Sequence, residues 1–150
     1  MIKLIATDID GTLVKDGTLI INPEYMTVIS KLIDKGIIFT VCSGRQFSSE
    51  QKLFAPIKDK LMYITDGGTV VRTPDRILKT YPMSNELWKD MCRMVRDELP
   101  ACDYFAASPD LCYAEDGASP IFHRLRDSYG FEMREIDDLT KLENDDIIKF

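Results

Sequence analysis

Three short segments of this chain hold residues suited to chemistry on a phosphate. The first is Asp8-Ile9-Asp10-Gly11-Thr12. Two carboxylates two residues apart converge on one point if the loop after them turns, and Gly11 permits that turn. Like charges so close repel unless a cation lies between them. A hard cation such as Mg2+ suits such a pair, because it takes oxygen ligands and few protein carboxylates, with phosphate oxygens completing its shell. Aspartate also accepts phosphoryl groups. It is ionised at neutral pH and needs no base in order to attack. The second segment, Ser43-Gly44, offers a hydroxyl and backbone N–H groups on which a phosphate could rest. The third is Asp66-Gly67-Gly68, a polar turn. Phosphoryl transfer is mostly positioning and charge stabilisation, so modest groups of this kind suffice for it.

The elements that must position these segments can be read from the surrounding pattern. Ile2 to Thr7 is a nearly continuous apolar run, which predicts a strand buried on both faces of a parallel sheet. Asn22-Pro23 starts a helix that carries Met26, Ile29 and Ile33 on one face, with Tyr25, Val28 and Leu32 beside them, and Gly36 ends it. Ile37 to Val41 is a second strand, Phe47 to Phe54 a short helix and Leu61 to Ile64 a third strand. Thr69 to Arg72 and Arg76 to Thr80 form a hairpin. The order β-α-β-α-β predicts an α/β fold with a parallel sheet and right-handed crossovers. Asp8, Ser43 and Asp66 then stand at three strand ends, where open parallel sheets bind ligands. An Asp-x-Asp-Gly turn alone is more often a solvated loop than a site. Its coupling to Ser43-Gly44 at the end of the next strand makes a site the better reading.

The pattern changes near Pro82. Ser84 caps a helix running to about Leu99, with Leu87, Met91, Val95 and Leu99 at helical spacing and Trp88 beside that stripe as a packing residue. Tyr104 to Ala107 and Leu111 to Glu115 predict two strands, Pro120 to Tyr129 a helix and Phe131 to Ile136 a weak strand. Asp137 to Asp146 reads as a loop or frayed helix, and the acidic run from Glu135 onward as a solvated face. Ile147 to Phe150 predicts a further strand. Two domains follow from this change of style, residues 1–82 and 83–150. His123, the single histidine, reads as a surface or packing residue.

Composition narrows the function classes. A net charge of −6 repels phosphate backbones, so nucleic acid is not an expected partner. No run reaches the length of a membrane span, so no membrane partner is expected either. Cys42, Cys92, Cys102 and Cys112 lack zinc-knuckle or redox spacing and read as free buried or half-buried thiols in a cytoplasmic protein.

Asp8-Ile9-Asp10-Gly11-Thr12-Leu13 resembles the Asp-x-Asp-Gly-Thr-Leu signature of the haloacid dehalogenase-like phosphatases. Val41-Cys42-Ser43-Gly44-Arg45 is similar to their second motif, and Tyr63-Ile64-Thr65-Asp66-Gly67-Gly68 to the Ile-x-x-Asn-Gly-Ala stretch of the Cof-type subfamily. The resemblance implies an incomplete Rossmann-like core followed by part of an α+β cap, which in this family usually selects the substrate. Too few residues separate Leu13 from Asn22 to hold a lid there. It also implies roles. Asp8 attacks phosphorus and forms an aspartyl-phosphate, and Asp10 acts as acid and then base. Mg2+ is held by the Asp8 carboxylate and the Asp10 backbone carbonyl. Ser43 bonds the phosphoryl group, Thr12 holds the loop, and Gly44 and Arg45 lie near a small phosphorylated substrate such as a sugar phosphate.

Two departures qualify that expectation. Asp66 replaces the subfamily's Asn, which adds negative charge beside an anion site. No third-motif Lys or fourth-motif acidic pair is recognisable after residue 82, and Lys141 and Lys149 read as surface lysines. The chain therefore reads as an N-terminal portion. Strand one would then be a sheet edge open to pairing with a second copy. A non-catalytic fragment and a phosphomutase of the same superfamily are the alternatives, with a receiver-like signalling domain a weaker fit.

Overall fold

The computed structural model describes residues 2–15, 17–143 and 146–150. The first strand, β1 (Leu4–Asp8), lies parallel to β2 (Ile38–Cys42), and β2 lies parallel to β3 (Met62–Thr65). The hairpin β4 (Val70–Arg72) and β5 (Ile77–Thr80) extends this sheet antiparallel, in the order β1-β2-β3-β4-β5. The crossovers are α1 (Pro23–Asp34) and α2 (Phe47–Leu53). Asn22 caps α1 by accepting the Glu24 amide at 2.9 Å, and Pro23 occupies the first turn, where a missing N–H costs nothing.

One face of the parallel strands is covered, and the other is open at β1 and at the start of β2. Phe39, Val41 and Tyr63 pack with Ile29 of α1 and with Phe47, Leu53 and Phe54 of the α2 region. Leu4 and Ile38 face away and remain about half exposed. This corrects the expectation that β1 is buried on both faces. It stands at the sheet edge, among the described residues no strand covers its outer side, and its residues alternate between exposed and half-buried.

A second sheet follows. Ser84 caps α3 (Asn85–Glu98) by accepting the Leu87 amide. Beyond it lie β6 (Ala106–Ala107), β7 (Cys112–Ala114) and β8 (Met133–Glu135), with β6-β7 antiparallel and β7-β8 parallel. The buried face of α3 is Trp88 and Cys92, packed with Ala106, Tyr113, Leu139 and Ile147, whereas Leu87 and Leu99 are about half exposed. The apolar stripe expected at Leu87 and Leu99 is therefore rotated by one residue. Trp88 carries the most apolar surface and takes the buried centre, with its indole N–H satisfied by Asn85 Oδ1 at 3.1 Å.

The helix expected from Pro120 divides into α4 (Pro120–His123) and a π-helical turn over Arg124–Ser128. Residues 147–150 make an isolated antiparallel bridge, Ala107 with Lys149, rather than a full strand. The expected acidic loop contains a 3-10 turn at Leu139–Lys141, and its residues 144 and 145 lie outside the described residues. Cys92 and Cys112 are buried and Cys42 half-buried, but Cys102 is exposed, beyond the expected burial of all four thiols. Among the described residues no helix is long and apolar enough to cross a membrane.

The expected boundary at residue 82 falls between β5 and α3, and packing and hydrogen bonds join residues on its two sides. Val70 of β4 shares a buried cluster with Ala107, Cys112, Phe131 and Ile148. One face of the α2 region also holds the backbone of residues 129–132. Gln46, fully buried, accepts the Glu132 amide at 2.6 Å and donates to the Glu132 carbonyl at 3.3 Å. Ser49 donates to the Tyr129 carbonyl, and Lys52 to that of Gly130 at 2.7 Å. Replacing Gln46 by Ala strands two backbone groups at a dry interface. Gln46→Ala is expected to lower unfolding free energy by about 1–3 kcal/mol. Urea denaturation followed by circular dichroism measures this, and an unchanged midpoint would remove Gln46 from the interface.

Candidate active site

The Asp8-to-Val14 loop owes its shape to its apolar residues. Ile9 is fully buried and Val14 nearly so. Ile9 offers its carbonyl to the amides of Leu13 at 2.8 Å and Val14 at 3.1 Å, and Gly11, with φ of 77°, donates to the Val14 carbonyl at 2.8 Å. Anchoring Ile9 inward turns its neighbours Asp8 and Asp10 outward together, because alternate residues of an extended chain share a side. The Thr12 hydroxyl donates to Asp8 Oδ2 at 3.2 Å and so braces Asp8. Among the described residues Asp8 forms no ion pair.

Arg45 is 2% exposed although it carries a guanidinium. Its Nε and one terminal nitrogen grip the Asp10 carboxylate as a fork at 2.8 and 2.7 Å. The same nitrogen donates to the Thr18 carbonyl at 2.8 Å, and the other reaches Ser49 Oγ at 3.4 Å. The guanidinium also lies 5.0 Å from the centre of the Tyr129 ring. Arg45, expected near the substrate, lines the cavity with four of its five N–H groups engaged by Asp10, Thr18 and Ser49. Ser43 follows β2 directly, and its hydroxyl accepts the Arg45 amide at 3.1 Å. No atom lies within 4 Å of the point where a Cβ would stand on Gly44, which leaves that backbone open to a ligand.

Asp8, Asp10, Ser43, Gly44 and Arg45 share a cavity of about 320 Å3 with Leu125, Tyr129, Phe131 and Lys149. Thr12 and Asp66 do not line it. Its opposite wall comes from the second unit and was not foreseen in the sequence. Lys149 is the clearest correction. Expected on the surface, it is half-buried, and its Nζ donates to the Gly44 carbonyl at 2.9 Å. The one signal for it was a lysine set between Ile148 and Phe150. Lys141, by contrast, is 79% exposed and pairs with Asp138. A larger cavity of about 620 Å3, lined by Ile37, Ile38, Leu61 and Met62, opens at the amino ends of β2 and β3, away from the strand ends that bind ligands in such sheets.

The profile of the haloacid dehalogenase-like hydrolases matches residues 5–150. The chain belongs to this family. It is 26% identical over 147 residues to the Escherichia coli (strain K12) 5-amino-6-(5-phospho-D-ribitylamino)uracil phosphatase YbjI, covering 95% of this chain and 52% of that protein. A crystal structure from Eubacterium rectale superposes with a TM-score of 0.86 at 81% identity, covering 97% of this chain and 55% of that one. The fold is also that of a haloacid dehalogenase-like hydrolase from B. subtilis, with a TM-score of 0.76 at 19% identity over 97% of this chain and 57% of that one. The chain thus spans about half the length of the relatives it matches.

The electrostatics of this haloacid dehalogenase-like site are uneven. The Arg45 hydrogen bonds and charge hold the Asp10 carboxyl below its usual range, with the Gly17 amide and Ser43 hydroxyl acting the same way against the cost of burial. Asp8 and Asp10 fit a hard cation in part. The Asp8 carboxylate is exposed and free of cations, whereas the Asp10 carboxylate is already neutralised by Arg45. A metal held here would rest on Asp8 and on the backbone of the loop, two oxygens of the kind Mg2+ accepts.

Behind the cavity lies a second acidic layer. Asp66 is buried, has φ of 53°, and is pushed up to about 6, chiefly by burial. Its Oδ2 accepts the Thr65 hydroxyl at 2.9 Å, while Oδ1 has no partner among the described residues. Glu50 is fully buried, with both carboxyl oxygens unpartnered among the described residues; burial, and then the Asp66 charge, push it well above the usual carboxylate range.

Two outcomes follow from these charges. Arg45→Lys keeps the charge but loses the planar fork, and is expected to cost about 2–3 kcal/mol of stability near neutral pH. The Asp10 contribution is present above the usual carboxylate range and lost as pH falls through its lowered native value. In Arg45→Lys the Asp10 titration should therefore move upward, as carboxyl-detected NMR would show; an unmoved titration contradicts the fork. Asp66 has the opposite sign. Its native form keeps a proton longer than its unfolded form, so stability falls as pH rises from about 4 to 6. Asp66→Asn removes that cost and suits the left-handed backbone, and is expected to add about 1–3 kcal/mol at pH 7 and little at pH 4. Melting curves across this range test it, and equal effects at both ends would refute it.

Proposed function

We propose that this chain carries the nucleophile side of a Mg2+-dependent phosphatase that acts on a small phosphorylated metabolite through an aspartyl-phosphate. One observation carries the reading: an exposed Asp8 carboxylate, which forms no ion pair among the described residues, shares a cavity at the strand ends with an Asp10 that a buried guanidinium holds in place. The activity named for the E. coli relative, on a phosphorylated ribitylaminouracil, supports a phosphate ester of modest size. The cavity volume is at the lower end of small-molecule sites, and Leu125 and Phe131 give it an apolar wall for the carbon part of such an ester.

In this reading an Asp8 oxygen bonds to phosphorus as the ester P–O bond breaks. Asp10 passes a proton to the leaving oxygen. Water then attacks the phosphorus, Asp10 takes its proton back, and the Asp8–phosphorus bond breaks to release phosphate. An ionised Asp10 is ready for the second half. The first half requires it to hold a proton, and the charge of a phosphate entering beside it favours that. Ser43 and the Gly44 backbone orient the phosphoryl oxygens, and Thr12 keeps Asp8 aimed. Mg2+, when bound, offsets the negative charge shared by Asp8 and the phosphate. The free thiols accord with a reducing, cytoplasmic setting.

The test is Mg2+-dependent hydrolysis of an aryl phosphate by the protein that carries this chain. Asp8→Asn is expected to lower kcat by about 10³-fold or more while the fold is kept. Hydrolysis that survives the change would exclude Asp8 as nucleophile.

A further inference from the structure

We propose that Lys149 binds the phosphoryl oxygens of the ligand, so that the second unit completes the anion site of the first; this rests on the phosphatase reading for its ligand class. The cavity side chains that carry charge are Asp8, Asp10, Arg45 and Lys149. Arg45 is buried, and its fork is closed on Asp10. Arg45 keeps one N–H unengaged, so among the described residues an entering phosphate meets two carboxylates and, in Lys149, one cation with more than a single donor to spare. An ammonium has three N–H donors. Lys149 spends one on the Gly44 carbonyl and, among the described residues, forms no ion pair. Two donors remain on the cavity side of the segment that carries the phosphate-facing Ser43 and Gly44.

Position supports the same assignment. A flexible lysine on a loose terminus would carry no such argument, but the Lys149 backbone is held. Its carbonyl accepts the Ala107 amide at 2.9 Å, and the Ile148 amide donates to the Ala107 carbonyl at 2.8 Å. Ile147 and Ile148 are buried immediately before it. The Nζ is thus delivered to the cavity that Gly44 and Phe131 also line by a bridged, anchored segment, and it lies 5.8 Å from the centre of the Phe105 ring. It also lies close enough to Asp66 and Cys112 to oppose the upward shift of each. A cation that lines the cavity and, among the described residues, is hydrogen-bonded to a neutral carbonyl alone is placed to receive an anion rather than to stabilise the fold. The consequence for selectivity is direct. Ligands must present a phosphate whose oxygens reach Lys149 and Ser43 together, which favours a terminal, unhindered phosphate monoester.

Titration with inorganic phosphate by calorimetry at low salt tests this without requiring turnover. Lys149→Ala should weaken phosphate binding by about tenfold or more, and Lys149→Arg should retain much of it. Lys141→Ala, a control on an exposed lysine, should leave it unchanged. In turnover with an aryl phosphate, Lys149→Ala should raise KM with a smaller effect on kcat. Should Lys149→Ala fail to fold, the unaltered protein still decides the matter: phosphate should protect Lys149, but not Lys141, from amine acylation read by peptide mass spectrometry. Phosphate binding that is absent, or unaffected by Lys149→Ala, overturns the proposal, as does acylation of Lys149 that phosphate does not slow. Lys149-dependent phosphate binding without any hydrolysis would uphold the anion site while removing the phosphatase reading, so the two fail separately.

Discussion

A guanidinium buried to 2% exposure cannot remain without a counter-charge, and much of this site follows from how Arg45 obtains one. Asp10 must stand within fork distance of it. That requirement fixes the loop after β1 against the start of α2, two segments 35 residues apart in sequence. The remaining donors draw in Thr18 and Ser49, and the planar face meets Tyr129 of the second unit. One side chain thus ties together the acid/base candidate, the approach to α1, the helix that follows Ser43, and the opposite wall of the cavity. Asp8 is the aspartate of the pair to which Arg45 makes no hydrogen bond among the described residues.

The joint between the two sheets rests on polar backbone contacts as much as on apolar packing. The α2 region presents Gln46, Ser49 and Lys52 at helical spacing, and each meets a main-chain group of residues 129–132. Such bonds fix register, because a shift of one residue would leave a dry amide or carbonyl unpaired. The apolar cluster of Val70, Ala107, Cys112, Phe131 and Ile148 closes the same seam from the other side. The cavity wall built by Leu125, Tyr129 and Phe131 is held in place by these contacts. Its shape is set by the same residues that hold the units together.

What could be read in advance was local. Asp8, Asp10, Ser43 and Gly44 lie at the ends of strands whose apolar runs and crossovers are written within a few residues of them, so both the sheet order and the first wall of the cavity were legible. The misreadings concern contacts made over long separations. The exposure of β1 depends on what stands beside it, which an apolar run does not encode. The rotation of the α3 stripe depends on the size of Trp88 against a sheet formed later in the chain. Arg45 was recognised within a motif but not as a buried clamp, since its partner is set by the fold of the preceding loop. Lys149 was least legible of all. Nothing near it marks a site, and its neighbour Gly44 lies 105 residues away.

That separation sets an order of assembly during synthesis. The contacts that shape the Asp-x-Asp loop and close the Arg45 fork span at most a few dozen residues and cost little loop entropy to form early. The contacts of Gln46 with Glu132 and of Lys149 with Gly44 span 86 and 105 residues. At ordinary ribosomal speeds the two walls are made on the order of ten seconds apart. In that interval the nascent chain holds the Asp8 loop beside an unclosed mouth, with the Phe47 helix bare on the side that will meet the second sheet. The wall that carries Lys149 is therefore the last part of the cavity to be made.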